Sequence, residues 1–278
     1  MFGRSLYATF AVIALAAGAT ACGSAEASNA SLVDKAKNDK KLVIGVKADQ
    51  PGLGLRTPDG SFAGFDIEVG KYVAKQLGVE AKDITFKETV SANREAFIEQ
   101  GQVDMVIATY SITDARKQKV SFAGPYFVAG QDLLVRADDT KLTGPEALNG
   151  KKLCSVAGST PAQKVKTEYA KEVQLQEERT YSACVDRVLG GQLDALTTDN
   201  VILAGYAAQH QGKLKVVGKS FSTEKYGIGL KKDDTAGRKA VNDALEKMFS
   251  DGSWTKALQV SVGASGFALP QAPQLERY

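Results

Sequence analysis

The chain has 278 residues, of which 44% are hydrophobic and 24% are charged, a composition that suits a globular protein with a sizeable core. The 35 lysines and arginines against 32 acidic residues give a formal charge of +3, and the two signs are interleaved along the chain. Such interleaving is typical of a solvated surface and excludes a patch that binds nucleic acid.

Residues 1–21 have the pattern of an export signal, because an arginine precedes an apolar region that is too short to span a bilayer permanently. The run GATAC, which ends at Cys22, is similar to a bacterial lipoprotein signal, in which the cysteine becomes the acylated N-terminus. Ala19 stands where such signals usually have leucine, so cleavage after Ala21 without lipid is the alternative. Residues 22–38 are small and polar at first and are predicted to be a flexible tether.

The rest of the chain alternates strand and helix patterns in two similar units. The first unit has predicted strands at 41–46, 84–86 and 103–108 and predicted helices at 65–78 and 93–101. The second has strands at 150–158, 173–179 and 193–199 and helices at 160–173 and 181–192. GQVDMVIATY and GQLDALTTDN are corresponding segments of the two units. Two βαβαβ units of similar length predict an α/β protein with two Rossmann-like lobes.

Two extended segments flank the second unit and predict a hinge of two crossings between the lobes. The N-terminal and C-terminal parts of the fold would then both belong to the first lobe, and the second lobe would be inserted between them. The predicted ranges are 39–133 with 227–264 for the first lobe, 134–226 for the second, and 265–278 for a C-terminal tail.

The third strand of the first unit is followed by hydroxyl side chains and a single arginine. Ligands of open α/β sheets bind at the carboxyl ends of the strands, which is where Thr109, Ser111 and Arg116 stand. Hydroxyls and backbone amides offer short hydrogen bonds, and the planar guanidinium matches a carboxylate. The alternative is a surface arginine in a polar turn.

Three further strand ends carry a charged or capping residue. Asp199 ends an apolar strand and is either a partner for a cation or an ordinary helix N-cap. Thr160 precedes a proline at the start of a helix, which is an anion site or simple capping. Lys47 follows the first strand and either faces the same mouth or lies in solvent. Together these groups match an α-amino acid with an acidic side chain.

The cysteine count agrees with export. If Cys22 carries lipid, Cys154 and Cys184 remain as an even pair, which predicts a disulfide in an oxidising compartment, with two buried thiols as the alternative. A zinc site is poorly supported, because His210 is the sole histidine and has no ligand-like spacing to cysteine. No metal and no cofactor are expected.

Four segments carry a resemblance to the extracellular solute-binding proteins of polar amino-acid ABC importers: GFDIEVGKYVAKQLG, TYSITDARKQKVSFAGPYF, GKKLCSVAGSTPAQ and GQLDALTTDN. The segments VKADQPGLGLR, GPYFVAGQDLLVR and TTDNVILAGYAA are similar to those of actinobacterial glutamate-binding lipoproteins. The resemblance covers nearly all of residues 40–262. It implies a type II periplasmic-binding-protein fold that closes over one amino acid, glutamate before aspartate, and has no enzymatic activity.

The same resemblance implies roles for the strand-end residues. Arg116 would bind the α-carboxylate with Ser111 and the Thr160 amide, and the Thr109 carbonyl with Asp199 would bind the α-ammonium. Lys47 would face the ligand's side chain, and Ser91 would lie near the ligand. The implied partners are a permease, through it an ATPase, and a membrane reached by lipid on Cys22 at the extracellular face. The alternatives are a glutamine- or asparagine-binding protein and an amino-acid sensor.

Overall fold

The computed structural model describes residue 2 and residues 30–278, apart from the side chains of residues 162 and 163. The predicted signal peptide, the lipidation at Cys22 and the start of the predicted tether therefore lie outside the described residues. The helices are α1 Leu32–Asp39, α2 Phe65–Gln76, α3 Arg94–Glu99, α4 Asp114–Lys117, α5 Pro161–Glu168, α6 Tyr181–Leu189, α7 Asn200–Gln209, α8 Thr235–Ser250 and α9 Ser253–Val262. The strands are β1 Leu42–Val46, β2 Asp49–Gln50, β3 Gly54–Arg56, β4 Phe62–Ala63, β5 Ile84–Glu88, β6 Met105–Val106, β7 Ser121–Ala129, β8 Gln131–Arg136, β9 Lys152–Val156, β10 Gln174–Glu178, β11 Ala195–Asp199, β12 Leu214–Val216 and β13 Glu224–Leu230.

The strands form two five-stranded sheets, one in each lobe, and one small sheet. The first sheet has the order β5-β1-β6-β13-β7 and the second has the order β10-β9-β11-β8-β12. In each sheet the βαβ strands run parallel and the remaining strands pair antiparallel. β2, β3 and β4 form a small antiparallel sheet in the first lobe. The predicted α/β fold with two similar lobes is confirmed.

The chain passes between the lobes twice. Gly130 alone separates β7 of the first sheet from β8 of the second, and residues 217–223 carry the chain back from β12 to β13. The boundaries that we placed after residues 133 and 226 lie a few residues downstream of these crossings. The sequence indicated the extended segments at both crossings. The hydrophobic pattern does not indicate the residue at which an extended segment leaves one sheet and joins the other.

Part of the predicted tether is folded, which corrects the range 22–38. The hydroxyl of Ser31 accepts from the amide of Asp34 at 3.1 Å, and the Asp34 carboxylate accepts from the amide of Ser31, so a capping box starts α1. Leu32 and Ala36, four residues apart, share one face of α1 and are buried. This apolar pair docks the helix on the first lobe, next to α8.

The C-terminal tail also packs on the first lobe. Its partly buried apolar side chains cover the main hydrophobic cluster, which is continuous through both lobes: Phe267, Leu269, Ala272 and Leu275. The amide of Glu276 donates to the carbonyl of Gly124 in β7 at 3.0 Å. The tail therefore packs across β7, one of the two strands that lead into the crossings between the lobes.

Candidate functional site

A cavity of about 10 Å³ lies between the two lobes at the carboxyl ends of the parallel strands. A single water molecule needs roughly 10–15 Å³, so the lobes are closed on each other here and a ligand enters only when they separate. The first lobe lines it with Ser91, Arg94, Thr109, Ser111 and Arg116, and the second lobe with Ser159, Thr160, Pro161, Tyr181 and Asp199. Six of the seven predicted site residues therefore line the same cavity, and Lys47 is the one that does not.

Arg116 projects into the cavity from α4, the one-turn helix capped by the hydroxyl of Thr113. Its side chain is buried and donates to the carbonyl of Ser111 at 2.7 Å and, across the cleft, to the carbonyl of Gly158 at 2.9 Å. Nε also pairs with Glu95 at 3.2 Å. The alternative of an arginine exposed in a polar turn is therefore wrong.

Arg94 is a second buried guanidinium in the cavity and was not among the site residues predicted from the sequence. It donates to the carbonyls of Ser91 and Ala108, each at 3.2 Å, and of Thr109 at 3.3 Å. It also reaches the carbonyl of Gly158 at 3.2 Å, so both arginines donate to one oxygen of the opposite lobe. Burial, with the positive charge of Arg116 beside it, lowers the pKa of Arg94 to about 10.

One signal in the sequence marks Arg94. It is the first residue of α3, directly after the turn that follows β5. A cation at a helix N-terminus opposes the helix dipole, so it needs another reason to be there. The guanidinium lies over the ring of Tyr110, 4.3 Å from its centroid, which holds it against the first lobe.

Asp199 faces the arginines from the second lobe. It ends β11 and is 4% exposed, and its Oδ2 accepts from the hydroxyl of Tyr226 at 2.5 Å. Oδ1 has no hydrogen-bond partner within the described part of the chain. Burial, reinforced by Glu224 nearby, raises the pKa of Asp199 to about 7. A buried carboxylate with one oxygen unsatisfied is suited to a cationic donor.

The Asp199 side chain does not cap α7, which was the alternative role predicted for it. Asp199 occupies the N-cap position of α7, yet its side chain makes no capping hydrogen bond to the described residues. The side chain of Asn200 accepts from the amide of Val201 instead, at 2.9 Å.

Thr109 is held in an unusual conformation by a buried carboxylate. Its φ of 45° lies in the left-handed region, and its amide donates to Asp66 Oδ2 at 3.0 Å. The hydroxyl of Tyr126 donates to the other oxygen of Asp66 at 2.8 Å, and burial raises the pKa of Asp66 to about 6. Asp66 therefore fixes the backbone of Thr109, a cavity-lining residue whose carbonyl accepts from Arg94.

Lys47 is buried but contacts the cavity only through Ser91. Its Nζ donates to Ser91 Oγ at 2.6 Å, and Lys47 is not among the residues that line the cavity. Burial and the positive charge of Arg94 lower the pKa of Lys47 to about 7. The alternative of a solvent-exposed edge lysine is wrong, since the residue is 4% exposed.

Gly158 and Thr160 bring the start of α5 to the cavity. Gly158 has φ 77°, and a Cβ there would lie 2.6 Å from the Cα of Ala92 in the opposite lobe, so only glycine fits this approach. Thr160 is the N-cap residue and Pro161 the first helical residue of α5. The Thr160 side chain makes no capping bond to the described residues, so simple side-chain capping does not account for it.

Cys154 and Cys184 form a disulfide that joins β9 to α6, with their Cα atoms 5.7 Å apart. Both elements reach the cavity, β9 through the turn that follows it and α6 through Tyr181.

Within residues 30–278 there is no group of three or more histidine, cysteine, aspartate or glutamate side chains that could hold a metal ion. None of the described helices is both long enough and apolar enough to cross a membrane.

Comparison with known proteins identifies the family. Residues 42–262 match the model of the bacterial extracellular solute-binding proteins, family 3. The glutamate-binding protein GluB of Corynebacterium efficiens is 46% identical over 273 residues, which cover 95% of this chain and 92% of that protein. The ABC transporter glutamine-binding protein GlnH of Bacillus subtilis is 39% identical and covers 91% of this chain and 94% of its own.

Solved structures agree in fold. An ancestral arginine-binding protein bound to arginine superposes with a TM-score of 0.75 at 34% sequence identity, covering 80% of this chain and 98% of that one. A match over most of the chain, together with relatives well above 30% identity, fixes the assignment. The chain therefore belongs to family 3 of the bacterial extracellular solute-binding proteins, with an extracellular or periplasmic location and a binding rather than an enzymatic role.

Proposed function

We propose that the chain is the substrate-binding component of an ABC importer that captures an acidic amino acid, glutamate first and aspartate next. The two lobes would close around the ligand and present it to a membrane permease that is driven by an ATPase. The observation that carries this proposal is the charge set of one small cavity, where two buried guanidiniums from one lobe face a buried carboxylate from the other.

The charges in the cavity complement glutamate group by group. Arg116 with Ser111 and the Thr160 amide would bind the α-carboxylate. Asp199 and the Thr109 carbonyl would bind the α-ammonium, which satisfies the unpartnered oxygen of Asp199. An amino acid thereby bridges the lobes, and closure is favoured because contacts to both lobes exist only in the closed arrangement.

The side-chain end of the ligand would meet a second cationic region. Arg94 and Ser91 line the cavity together, and Lys47 donates to Ser91 from behind. A second carboxylate gains charge-assisted hydrogen bonds there that a neutral amide makes more weakly. This is the physical reason to place glutamate and aspartate above glutamine and asparagine.

The relatives' names are consistent with an amino-acid ligand but divide between two side chains, since one is called glutamate-binding and another glutamine-binding. A glutamine- or asparagine-binding protein, or an amino-acid sensor on the same fold, is therefore the second candidate. The additional buried cations at Arg94 and Lys47 favour the acidic ligand.

Anchoring is part of the same proposal. Acylation of Cys22 would hold the protein at the extracellular face of the membrane, near its permease. Cys22→Ser should then release the protein into the medium, whereas cleavage after Ala21 without lipid predicts the same distribution for both forms.

The experiment that tests the function is calorimetric titration of the mature protein with glutamate, aspartate, glutamine and asparagine. We expect glutamate to bind most tightly and aspartate next. Arg116→Ala should lose binding of all four, because each has the α-carboxylate. Tighter binding of glutamine than of glutamate would select the second candidate, and retained binding by Arg116→Ala would overturn the carboxylate assignment.

A further inference from the structure

The small sheet of the first lobe contains the segment DQPGLGLR, Asp49 to Arg56, which the roles proposed above do not use. β2 and β3 are its two strands, and we call Asp49–Arg56 the hairpin. It follows Lys47 in the chain and lies against α6 and α7 of the opposite lobe. Asp49 and Gln50 are not among the residues that line the cavity.

Asp49 caps a helix of the other lobe. Its Oδ2 accepts from the backbone amides of Tyr181 at 2.8 Å and Ser182 at 3.2 Å, which are the first two residues of α6. Amides at a helix N-terminus lack partners within the helix and carry a partial positive charge, so a carboxylate there is stabilising. The unusual feature is that the carboxylate comes from across the cleft.

A second contact joins Asp49 to α7. The hydroxyl of Tyr206 donates to the backbone carbonyl of Asp49 and lies 3.2 Å from its Oδ2. Two residues further along the hairpin, the carbonyl of Pro51 lies where a Cβ on Gly205 would be 2.5 Å away. A glycine at this position of α7 therefore lets the hairpin approach the helix backbone.

The residue next to Asp49 connects the hairpin to the cavity. Gln50 is fully buried and its Nε2 donates to Thr109 Oγ1 at 3.1 Å. Thr109 and Tyr181 both line the cavity, one in each lobe. The hairpin thus contacts a cavity residue of its own lobe through Gln50, and the start of a cavity-lining helix of the other lobe through Asp49.

We propose that Asp49 is a positioning residue for lobe closure, which stabilises the closed arrangement by capping α6 and so prolongs the residence of the ligand without touching it. This inference rests on the proposed function, because residence is defined only for a ligand held between the lobes. In an open arrangement the same carboxylate and amides would bond to water. The contact therefore favours closure by the difference in free energy between these bonds to water and the bonds from Asp49 to the α6 amides. A weaker closed state raises the apparent dissociation constant in proportion to the lost population.

The test compares Asp49→Ala with Asp59→Ala. Asp59 is a matched control, since it lies in the turn of the same small sheet and bonds to Thr57 and Ser61 within that turn. We expect Asp49→Ala to raise the dissociation constant for L-glutamate by roughly tenfold, with most of the change in the dissociation rate. Asp59→Ala should stay within about twofold of the wild type.

Asp49→Asn keeps an acceptor oxygen and loses the charge, so it should give an intermediate dissociation rate. Calorimetry gives the affinities and stopped-flow fluorescence gives the rates. Equal dissociation rates for Asp49→Ala and Asp59→Ala, or a change confined to association, would overturn the proposal. A general folding defect would instead lower affinity without this order among the three variants.

A structural readout separates this proposal from the proposed function. Amide hydrogen exchange at Tyr181 and Ser182, measured with saturating L-glutamate so that the lobes are closed, should be faster in Asp49→Ala than in Asp59→Ala. If the wild type binds none of the four amino acids, the proposed function fails. If the wild type binds and the two saturated variants exchange identically, the proposed function stands and the positioning role is overturned.

Discussion

Three buried basic residues, Arg94, Arg116 and Lys47, lie at or directly behind one small cavity. Arg116 pairs with Glu95, whereas Arg94 and Lys47 form no ion pair with a carboxylate of the described residues, and a buried charge is costly unless an anion compensates it. Burial lowers the pKa of Lys47 to about 7 and that of Arg94 to about 10. A ligand with a second carboxylate supplies the missing negative charge. Selectivity for acidic side chains is therefore the property that these two residues should control.

We expect Arg94→Gln to reduce the ratio of glutamate affinity to glutamine affinity by roughly 10–100-fold, because it removes a charge-assisted pair from the cavity wall. Lys47→Ala should reduce the same ratio by less, since Lys47 acts through Ser91. Lys87→Ala is the control, because Lys87 bonds to Gln102 at the surface of the same lobe. Calorimetry with both ligands measures the ratio, and unchanged selectivity in Lys47→Ala would remove that residue from the side-chain assignment.

Asp199 gives binding a dependence on pH. Its raised pKa of about 7 means that the carboxyl group is largely neutral at pH 6 and largely ionised at pH 8. An ammonium pairs with the ionised form, so in Lys47→Ala the affinity for glutamate should rise with pH, by roughly tenfold between pH 6 and pH 8. In the wild type Lys47, whose pKa is about 7, loses its positive charge over the same range, which weakens its attraction for the side-chain carboxylate and offsets part of the rise. The side-chain carboxyl of glutamate, with an ordinary pKa of about 4.3, stays ionised over this range.

Calorimetry at half-unit steps from pH 6 to pH 8 checks this prediction. The rise should be steeper in Lys47→Ala than in the wild type, because of these two residues only Asp199 then still titrates near pH 7. An affinity of Lys47→Ala that is flat or falls as pH rises from 6 to 7 would show that Asp199 does not pair with the ligand's ammonium.

Among the elements, the turn after β9 and the start of α6 contribute to one wall of the cavity, and the disulfide between Cys154 and Cys184 joins β9 to α6. The two cysteines are 30 residues apart, and closing such a loop constrains the unfolded chain by roughly 3–4 kcal/mol on the chain-entropy estimate. The bond therefore bears on stability first and on binding through Tyr181, which starts α6.

The double substitution Cys154→Ser with Cys184→Ser should lower the free energy of unfolding by roughly 3–4 kcal/mol. Denaturant unfolding of the oxidised protein, the reduced protein and the variant measures the loss, and a thiol assay of the unfolded wild type counts free cysteines. Reactive thiols at both positions in exported protein would support the alternative of two buried free cysteines.

The alternation of strands and helices was predictable because periodic apolar residues must face a core, and β1, α2, β5, α6 and β11 lie close to their predicted ranges. The hydrophobic pattern predicted the wrong bounds where strand pairing or helix capping determines where an element begins and ends. The apolar run 103–108 yields only the two-residue strand Met105–Val106, because burial does not by itself make a ladder. The helix predicted over 160–173 ends at Glu168. The helix α1 was missed because a two-residue apolar face is a weak signal, although its capping box is readable.

At the cavity, residues directly after strands were predictable from topology, which is why Thr109, Ser111, Arg116, Thr160 and Asp199 line it together. Arg94 was missed because it enters from the start of a helix. Lys47 was predicted to face the ligand directly, whereas the structure places Ser91 between its ammonium group and the cavity. Such distinctions depend on side-chain packing across long sequence separations, for which a single sequence carries no local signal.

At the scale of the whole molecule, two lobes with separate sheets share one cavity, and their opposite charges face each other across it. The hinge strands β7 and β13 pair with each other, while the hairpin and the two arginines contact the second lobe directly. We therefore expect closure and recognition to be coupled, with the ligand adding contacts to both lobes.

A crystal structure of the protein with L-glutamate tests this claim most directly. We predict one glutamate between the lobes, with its α-carboxylate on Arg116, its ammonium on Asp199 and its side-chain carboxylate on Arg94. A glutamate bound outside this cavity, or one that touches only a single lobe, would contradict the account.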